Sequence, residues 1–193
     1  MAPLFNSWGN RAFGTFKTQT PPWAPSGVYD SIATVSVGSG GSSTVTFSSI
    51  PSTYTHLQIR GIYRAPSNAT YMAVGTGSAN YGLKGHYLGG GNGGSTYGGV
   101  LSPTGTKGLA LDVYVGALVA NQFGAIIIDI LDYANTSKYK TARAIGGYED
   151  ASSTVILISH LFDTTSAITS ITLTADGNYA QYSSFALYGI KGA

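Results

Sequence analysis

The sequence predicts an all-β protein, an antiparallel two-sheet sandwich with an extended N-terminal arm. Three observations support this fold class. About nine apolar or β-branched segments follow residue 27, at the spacing of about 8–12 residues that is typical of sandwich strands. Clusters of Gly, Pro, Asn and Asp separate these segments, and no segment repeats its apolar residues with the helical period. Among sandwiches, a jelly roll is our first choice.

The first 26 residues differ from the rest of the chain and predict an arm, which leaves residues 27–193 for the β-sandwich domain. Large apolar side chains are scattered here without a strand or helix period, and both tryptophans of the chain lie here. The arm either packs as a flap on its own domain or docks on a neighbouring subunit. We expect docking, through Phe5, Trp8, Phe13, Phe16 and Trp23.

The domain opens with three predicted strands. Residues 28–37 and 43–50, with a Gly-rich break between them, predict a hairpin. Residues 55–64 alternate between an apolar face and a polar face, as a half-buried strand does. Arg60 and Arg64 share the polar face, where they would contact solvent or an acidic surface of a partner.

A Gly-rich excursion follows a short predicted strand at residues 70–74. Residues 75–108 contain nearly half of the 27 glycines, and the segment predicts one long irregular loop, with at most a short strand near residues 83–88. Tyrosines in such a segment either stack on sugar rings or fill a subunit interface, and the interface is the commoner role. We therefore expect the excursion to lie at a subunit contact or at the outer tip of the sandwich, through Tyr81, Tyr87 and Tyr97.

The second half of the domain predicts six further strands. They cover residues 109–115, 122–133, 138–147, 153–162, 168–175 and 182–190. The second of these is apolar on both faces for much of its length, which is typical of a central strand, and it pairs with the third as a hairpin. Across this hairpin, Lys138, Lys140 and Arg143 can pair with Asp129 and Asp132 or form a salt bridge to an adjacent subunit.

The composition indicates a component of an assembly. Only 9% of the residues are charged, against about a quarter in an ordinary soluble domain, so little charge is left to keep a free monomer soluble. The net charge of +2 without a basic patch argues against nucleic acid as a partner. No apolar run exceeds four residues, as at residues 125–128, and such runs are too short to cross a bilayer. We expect no signal peptide, and the absence of cysteine excludes disulfides.

No pattern in the sequence indicates catalysis. Residues 89–94 formally match GxGxxG, but a dinucleotide site needs a strand before the motif and a helix after it. The three histidines lack metal-ligand spacing, and Asp129 and Asp132 would lie on opposite faces of a regular strand. Such a pair cannot approach to the separation that glycoside hydrolysis requires. We therefore expect no enzyme activity, no catalytic residue, no cofactor and no metal.

Three segments together resemble a known family. They are IPSTYTHLQIRGIYR at residues 50–64, IIIDILDYANTSKYKTARAIGGY at 126–148 and FALYGIKG at 185–192. In this order and spacing they resemble small virion structural proteins of tailed phages, especially phages of marine and cyanobacterial hosts. The resemblance implies a jelly-roll-type β domain located in the virion, as a head decoration or tail-associated protein. No catalytic residue comes with it, and the arm lies outside it.

Taken together, these features predict a capsid decoration, or cement, protein that stabilises the phage head by binding capsid subunits. We expect a homo-oligomer, with a trimer favoured, and the major capsid protein or another virion subunit as partner. The alternative is a tail or head fibre module that binds host-surface glycan. A glycan hydrolase is the third and least favoured class.

Overall fold

The computed structural model describes residues 28–65, 71–75, 84–91, 96–101, 111–112, 121–148, 153–162 and 165–192. Within these ranges there are twelve strands and no helix. The strands are β1 (Tyr29–Ser36), β2 (Ser42–Phe47), β3 (His56–Tyr63), β4 (Tyr71–Gly75), β5 (Lys84–Gly91), β6 (Thr96–Leu101), β7 (Leu111–Asp112), β8 (Gly124–Leu131), β9 (Lys140–Tyr148), β10 (Thr154–Phe162), β11 (Ile171–Tyr179) and β12 (Ser184–Ile190). The predicted all-β class and the antiparallel two-sheet sandwich are confirmed.

The strands form one large and one small sheet, both antiparallel. The large sheet has eight strands in the order β1-β12-β3-β8-β9-β10-β5-β6, and the small sheet has four in the order β2-β11-β4-β7. The strand order does not confirm the jelly roll, which therefore stays a prediction. The predicted arm, residues 1–26, lies outside the described residues.

The core lies between the two sheets and follows from the alternation of side chains along each strand. Leu57 and Ile59 of β3 and Ile128 of β8 are fully buried on the inner face of the large sheet. Phe47 of β2 and Leu173 of β11 face them from the small sheet, in the same cluster of buried residues. The small sheet covers only one face of the large sheet, and no described strand covers the second face.

An aromatic cluster closes one end of this core. The Phe185 ring lies 5.6 Å from that of Tyr63 and 5.0 Å from that of Tyr179, and the two tyrosine rings are 5.9 Å apart. Gly61 makes room for the cluster, since a Cβ atom there would lie 2.6 Å from Cδ1 of Phe185. Burial raises the pKa of Tyr179 far above its ordinary value. The cluster connects β3, β11 and β12, and therefore both sheets.

The first predicted hairpin is wrong. β1 pairs with β12 in the large sheet, whereas β2 pairs with β11 in the small sheet. Residues 37–41 therefore carry the chain from one sheet to the other, and Val37 donates from its backbone N–H to Ser183 at 2.8 Å on the way. The Gly-rich break signalled a change of direction correctly, but a turn signal does not say which sheet the next strand joins.

The Gly-rich excursion is more regular than predicted. β5 and β6 pair with each other, and β5 pairs with β10 over eight residues, so they form the edge of the large sheet. Gly89–Gly91 belongs to a strand, not to a flexible loop. The glycines allow close contact between strands: a Cβ atom at Gly85 would lie 2.7 Å from the Ser159 carbonyl oxygen, and one at Gly99 would lie 3.0 Å from the Tyr87 ring.

The strands from β8 onward match the prediction apart from one boundary, whereas of the predicted strand at residues 109–115 only β7 (Leu111–Asp112) lies within the described residues. β8 and β9 form the predicted hairpin, and β8 lies between β3 and β9 as a central strand. The predicted end of a strand at residue 175 lies within β11, where the pairing register shifts between Thr174 and Tyr179 and Gly177 has a φ of 111°. The strand therefore continues through a bulge, and the chain turns afterwards, at residues 180–183.

Candidate interaction surface

The feature most relevant to function is the outer face of the large sheet. Antiparallel register places outward residues of neighbouring strands in straight rows across the sheet. One row contains Ile127 of β8 beside Ile145 of β9, then Leu157 of β10 and Leu88 of β5. A solvated sheet face is ordinarily polar, so a continuous aliphatic row there requires an explanation.

Two more aliphatic residues widen this row into a patch. Ile62 of β3 and Val155 of β10 lie in the next row, separated by Ala125 and Gly147. We call the six large residues the aliphatic face: Ile62, Leu88, Ile127, Ile145, Val155 and Leu157. Their exposed fractions range from 38% for Ile127 to 61% for Leu88. Contiguous exposed apolar patches in soluble proteins mark interaction sites.

A shallow depression continues the aliphatic face at one end. Its volume is about 400 Å³. It is lined by Gln122, Phe123, Ala125, Gly147, Tyr148 and Val155. Among the described residues of the lining there is no carboxylate and no histidine, so these residues offer a largely apolar contact surface.

A polar row lies on the other side of the aliphatic face. In register order it contains Gln58, Asp129, Arg143, Ser159 and His86. The Gln58 amide donates to the Asp129 carboxylate at 2.7 Å, and Arg60 donates from Nε to Gln58 Oε1 at 2.7 Å. Gln58 is buried even though it lies on the outer face, and its amide is hydrogen-bonded to Asp129 on one side and to Arg60 on the other. The hydrogen bond between Gln58 and Asp129 therefore orders one carboxylate of the polar row beside the aliphatic face.

Arg60 also contacts two tyrosines. Its guanidinium lies 5.4 Å from the ring centroid of Tyr188 and 5.6 Å from that of Tyr29, within the range of cation–π attraction. The predicted site residue Arg60 is thus exposed, as expected, but held in place by its own chain. Arg64 lies one residue beyond the end of β3, where its backbone N–H donates to the Ser183 hydroxyl at 3.1 Å.

The turn between β8 and β9 contains an ionic cluster. Lys138 pairs with Asp132 at 2.6 Å, and the Asp132 backbone N–H donates to His56 Nδ1 at 3.0 Å. The hydrogen bond from Lys138 lowers the pKa of Asp132, and the charge of Lys138 contributes. Since Asp132 has a φ of 51° in the turn after β8, it does not lie on the strand with Asp129. The cluster stabilises the turn, and its carboxylate is neutralised by a lysine.

The other predicted cross-strand cations differ from one another. Arg143 is exposed and lies directly opposite Asp129 in the pairing of β8 with β9. Lys140 is fully buried, and its ammonium donates to the Lys138 carbonyl oxygen at 3.3 Å. Desolvation lowers the pKa of Lys140. Only Arg143 is therefore available at the surface beside the aliphatic face.

Most of the predicted contact residues lie outside the described part of the chain. These are Phe5, Trp8, Phe13, Phe16, Trp23 and Tyr81. Tyr97 belongs to β6 by its backbone. Tyr87 packs against the core from β5, so the structure does not place it at the outer contact that we expected. Its strand neighbour Leu88 points outward instead, because successive strand residues face opposite sides.

Sequence reasoning missed the aliphatic face, although one signal for it was present. The segment containing Ile127 is apolar on both faces, and we interpreted this as burial on both sides. The structure buries only the face that contains Ile126 and Ile128. The remaining members come from strands distant in sequence, so only the register reveals that they are neighbours.

Comparisons with protein-family models, curated proteins and solved structures found no match for this chain. Within the described ranges, no helix has the length and hydropathy to cross a membrane. In the same ranges, no three metal-ligating side chains converge. The candidate site is therefore defined by the surface itself.

Proposed function

We propose that this chain is a structural subunit of a phage virion, and specifically a capsid decoration protein that stabilises the head. The observation that supports an assembly role is the aliphatic face, with six large apolar side chains in register on the outer side of the large sheet. Such a face is stable in water when another protein covers it. The low charge of the chain, 9% of residues, points in the same direction.

The phage assignment is supported by the resemblance of three segments, which become neighbours in the fold. They supply β3, the β8–β9 hairpin and β12, and these four strands are adjacent in the large sheet as β12-β3-β8-β9. The polar row from Gln58 to Arg143 lies on these strands. The segments that carry the resemblance therefore build one continuous surface, as expected if that surface serves a shared structural role.

We propose that binding to the capsid and covering of the aliphatic face use different parts of the chain. The arm, residues 1–26, is rich in large apolar side chains and is the proposed contact to the capsid. The mechanism of stabilisation is added buried area, since a standard interface removes about 1,600 Å² from water. Repeated over the shell, such contacts oppose the internal pressure of packaged DNA.

Copy number in purified particles tests this proposal. A decoration protein is expected in hundreds of copies per virion, measured by quantitative staining against the major capsid protein. Particles stripped of the protein should also lose resistance to heat and regain it when the protein is added back. Absence from the particle would overturn the virion assignment, and a number of copies matching the tail symmetry would move the protein to the tail.

The alternative is a fibre module that binds host-surface glycan. It is favoured by exposed tyrosines outside the aliphatic face, namely Tyr29, Tyr139 and Tyr182, since aromatic rings stack on sugars. Glycan-array binding that is lost on Tyr182→Ala or Tyr139→Ala would favour this alternative. The decoration role predicts no such binding.

A further inference from the structure

We propose that the aliphatic face of one subunit is covered by the same face of a second copy of this chain, in a two-fold symmetric dimer. The symmetry axis runs parallel to the strands and passes between β8 and β9. This inference rests on the proposed assembly role and deepens it by naming the partner of the surface. It replaces the trimer as the proposed oligomer, because the arrangement of the outer face is complementary to itself.

The register makes the aliphatic face self-complementary. A two-fold axis between β8 and β9 exchanges β8 with β9 and β3 with β10. Ile127 of one copy then meets Ile145 of the other, since the two residues are register partners. In the next row, Ile62 meets Val155 in the same way. Four residues of the aliphatic face therefore meet one another across the axis. In the row of Ile127, Leu157 meets Arg60, and Leu88 meets Ala186 of β12.

The charges obey the same symmetry. Asp129 and Arg143 are register partners across β8 and β9, so the axis places Asp129 of each copy against Arg143 of the other. Two ion pairs, each between an aspartate of one copy and an arginine of the other, therefore form on the polar row, close to the axis. Packed sheets cross at about 30°, and the twist displaces residues least near the axis. Asp129 already accepts from Gln58 of β3, so its carboxylate is ordered within the chain before a partner binds.

The available area suits a reversible dimer. From β3 to β5 the face spans five strands, or about 19 Å at the usual strand spacing, and the two aliphatic rows and the polar row add a similar height. This gives about 400 Å² per copy, against about 800 Å² for a standard interface. We therefore expect dissociation in the micromolar range for the isolated protein.

Charge reversal and mixing test the symmetry directly. Asp129→Arg and Arg143→Asp each place like charges across the proposed interface, and each variant alone should dissociate at least about tenfold more readily than the wild type. An equal mixture of the two variants restores opposite charges at both pairs, because one chain has two arginines where the other has two aspartates. The mixture should form heterodimers with a dissociation constant near that of the wild type. The like-charge neighbours within each chain persist on mixing, so recovery reports the contact between chains.

Matched valine variants test the aliphatic contribution. Val155 lies in the aliphatic face and is 56% exposed, while Val28 lies before β1 and is 54% exposed. Val155→Lys should raise the dissociation constant at least about tenfold, because a lysine must be desolvated in each copy. Val28→Lys should leave the constant unchanged. Circular dichroism on both variants separates loss of association from loss of folding.

Sedimentation of the full-length protein over a range from about 1 to 500 µM gives the result. A monomer at all concentrations, a trimer, or a mixture of the charge variants that associates no better than its components would overturn the dimer. Equal effects of the two lysine variants would also overturn it. A protein that dimerises but never enters the particle would support this inference and overturn the virion proposal. A protein that enters the particle as a monomer would support the virion proposal and overturn the dimer.

Discussion

The side-chain amide of Gln58 donates a hydrogen bond of 2.7 Å to the carboxylate of Asp129, across β3 and β8 on the outer face of the large sheet. The same amide accepts from Arg60 through its oxygen. The buried Gln58 side chain thus orders one anionic and one cationic side chain, Asp129 and Arg60, beside the aliphatic face. This arrangement keeps the charged residues ordered before any partner arrives, which lowers the entropic cost of binding.

Gln58→Met tests the network without changing the size of the side chain. The substitution removes both hydrogen bonds to charged groups, so we expect a loss of about 1–2 kcal/mol in the free energy of unfolding. Urea denaturation measures this loss. Gln181→Met is the matched control, because Gln181 is exposed in a turn and its replacement should cost less than about 0.5 kcal/mol. Equal stability of the two variants would contradict the role of Gln58.

Gly61→Ala tests the close contact between β3 and the aromatic cluster. The new methyl group would lie 2.6 Å from Phe185, whose ring is held by Tyr63 and Tyr179 and cannot move freely. We expect a destabilisation of about 1–3 kcal/mol. Gly38→Ala is the control, since no atom lies within 4 Å of a Cβ at that position. Partial rescue by Phe185→Leu would show that the ring causes the loss.

Lys138→Met tests the ion pair with Asp132 through its dependence on pH. The pair lowers the pKa of Asp132 from its ordinary value of 3.8, so its stabilisation is fully present above that value. It is lost as the pH falls through the lowered pKa of the folded protein. At about pH 7 we expect the variant to be less stable by a few tenths of a kcal/mol.

The stability difference between wild type and Lys138→Met should shrink between about pH 7 and an acid pH below 3.8, as Asp132 takes up a proton. Urea denaturation at both pH values measures it. Lys138→Arg keeps a cation and should behave as the wild type. A difference that is the same at both pH values would show that Lys138 acts through packing and not through charge.

Deletion of residues 1–26 separates folding from assembly. The described core runs from Val37 to Leu187, so the deletion removes none of these buried residues. We expect the truncated domain to unfold cooperatively at nearly the wild-type temperature, measured by calorimetry, and to fail to join the particle. Loss of folding in the isolated domain would show that the arm belongs to the core.

The sequence predicts the fold class well because the strand signals are local. The alternation from residue 55 to 64 correctly identifies the buried face of β3, and the predicted hairpin of residues 122–133 and 138–147 is confirmed as β8 and β9. Pairing between distant strands leaves no local signal, which explains why β1 was assigned to β2 and not to β12.

The candidate surface was less predictable for the same reason. Leu88 and Val155 are unremarkable residues in the sequence, and only the pairing of β5, β10 and β9 brings them beside Ile145. The Gly-rich excursion is predicted as an irregular loop because glycine has a low propensity for strands. Here the backbone of β5 pairs along all of its eight residues with β10, and this pairing outweighs the weak propensity of the glycines.

The most direct measurement of the central claim is the accessibility of the aliphatic face in the assembled state. The chain has no cysteine, so Ile145→Cys introduces a single thiol on the face, and Val28→Cys provides a control of similar exposure outside it. In dilute isolated protein both thiols should react rapidly with a maleimide. In purified particles we predict strong protection at position 145 and little change at position 28. Equal reactivity of position 145 in the particle and in the dilute protein would contradict the claim that this face is covered by another subunit.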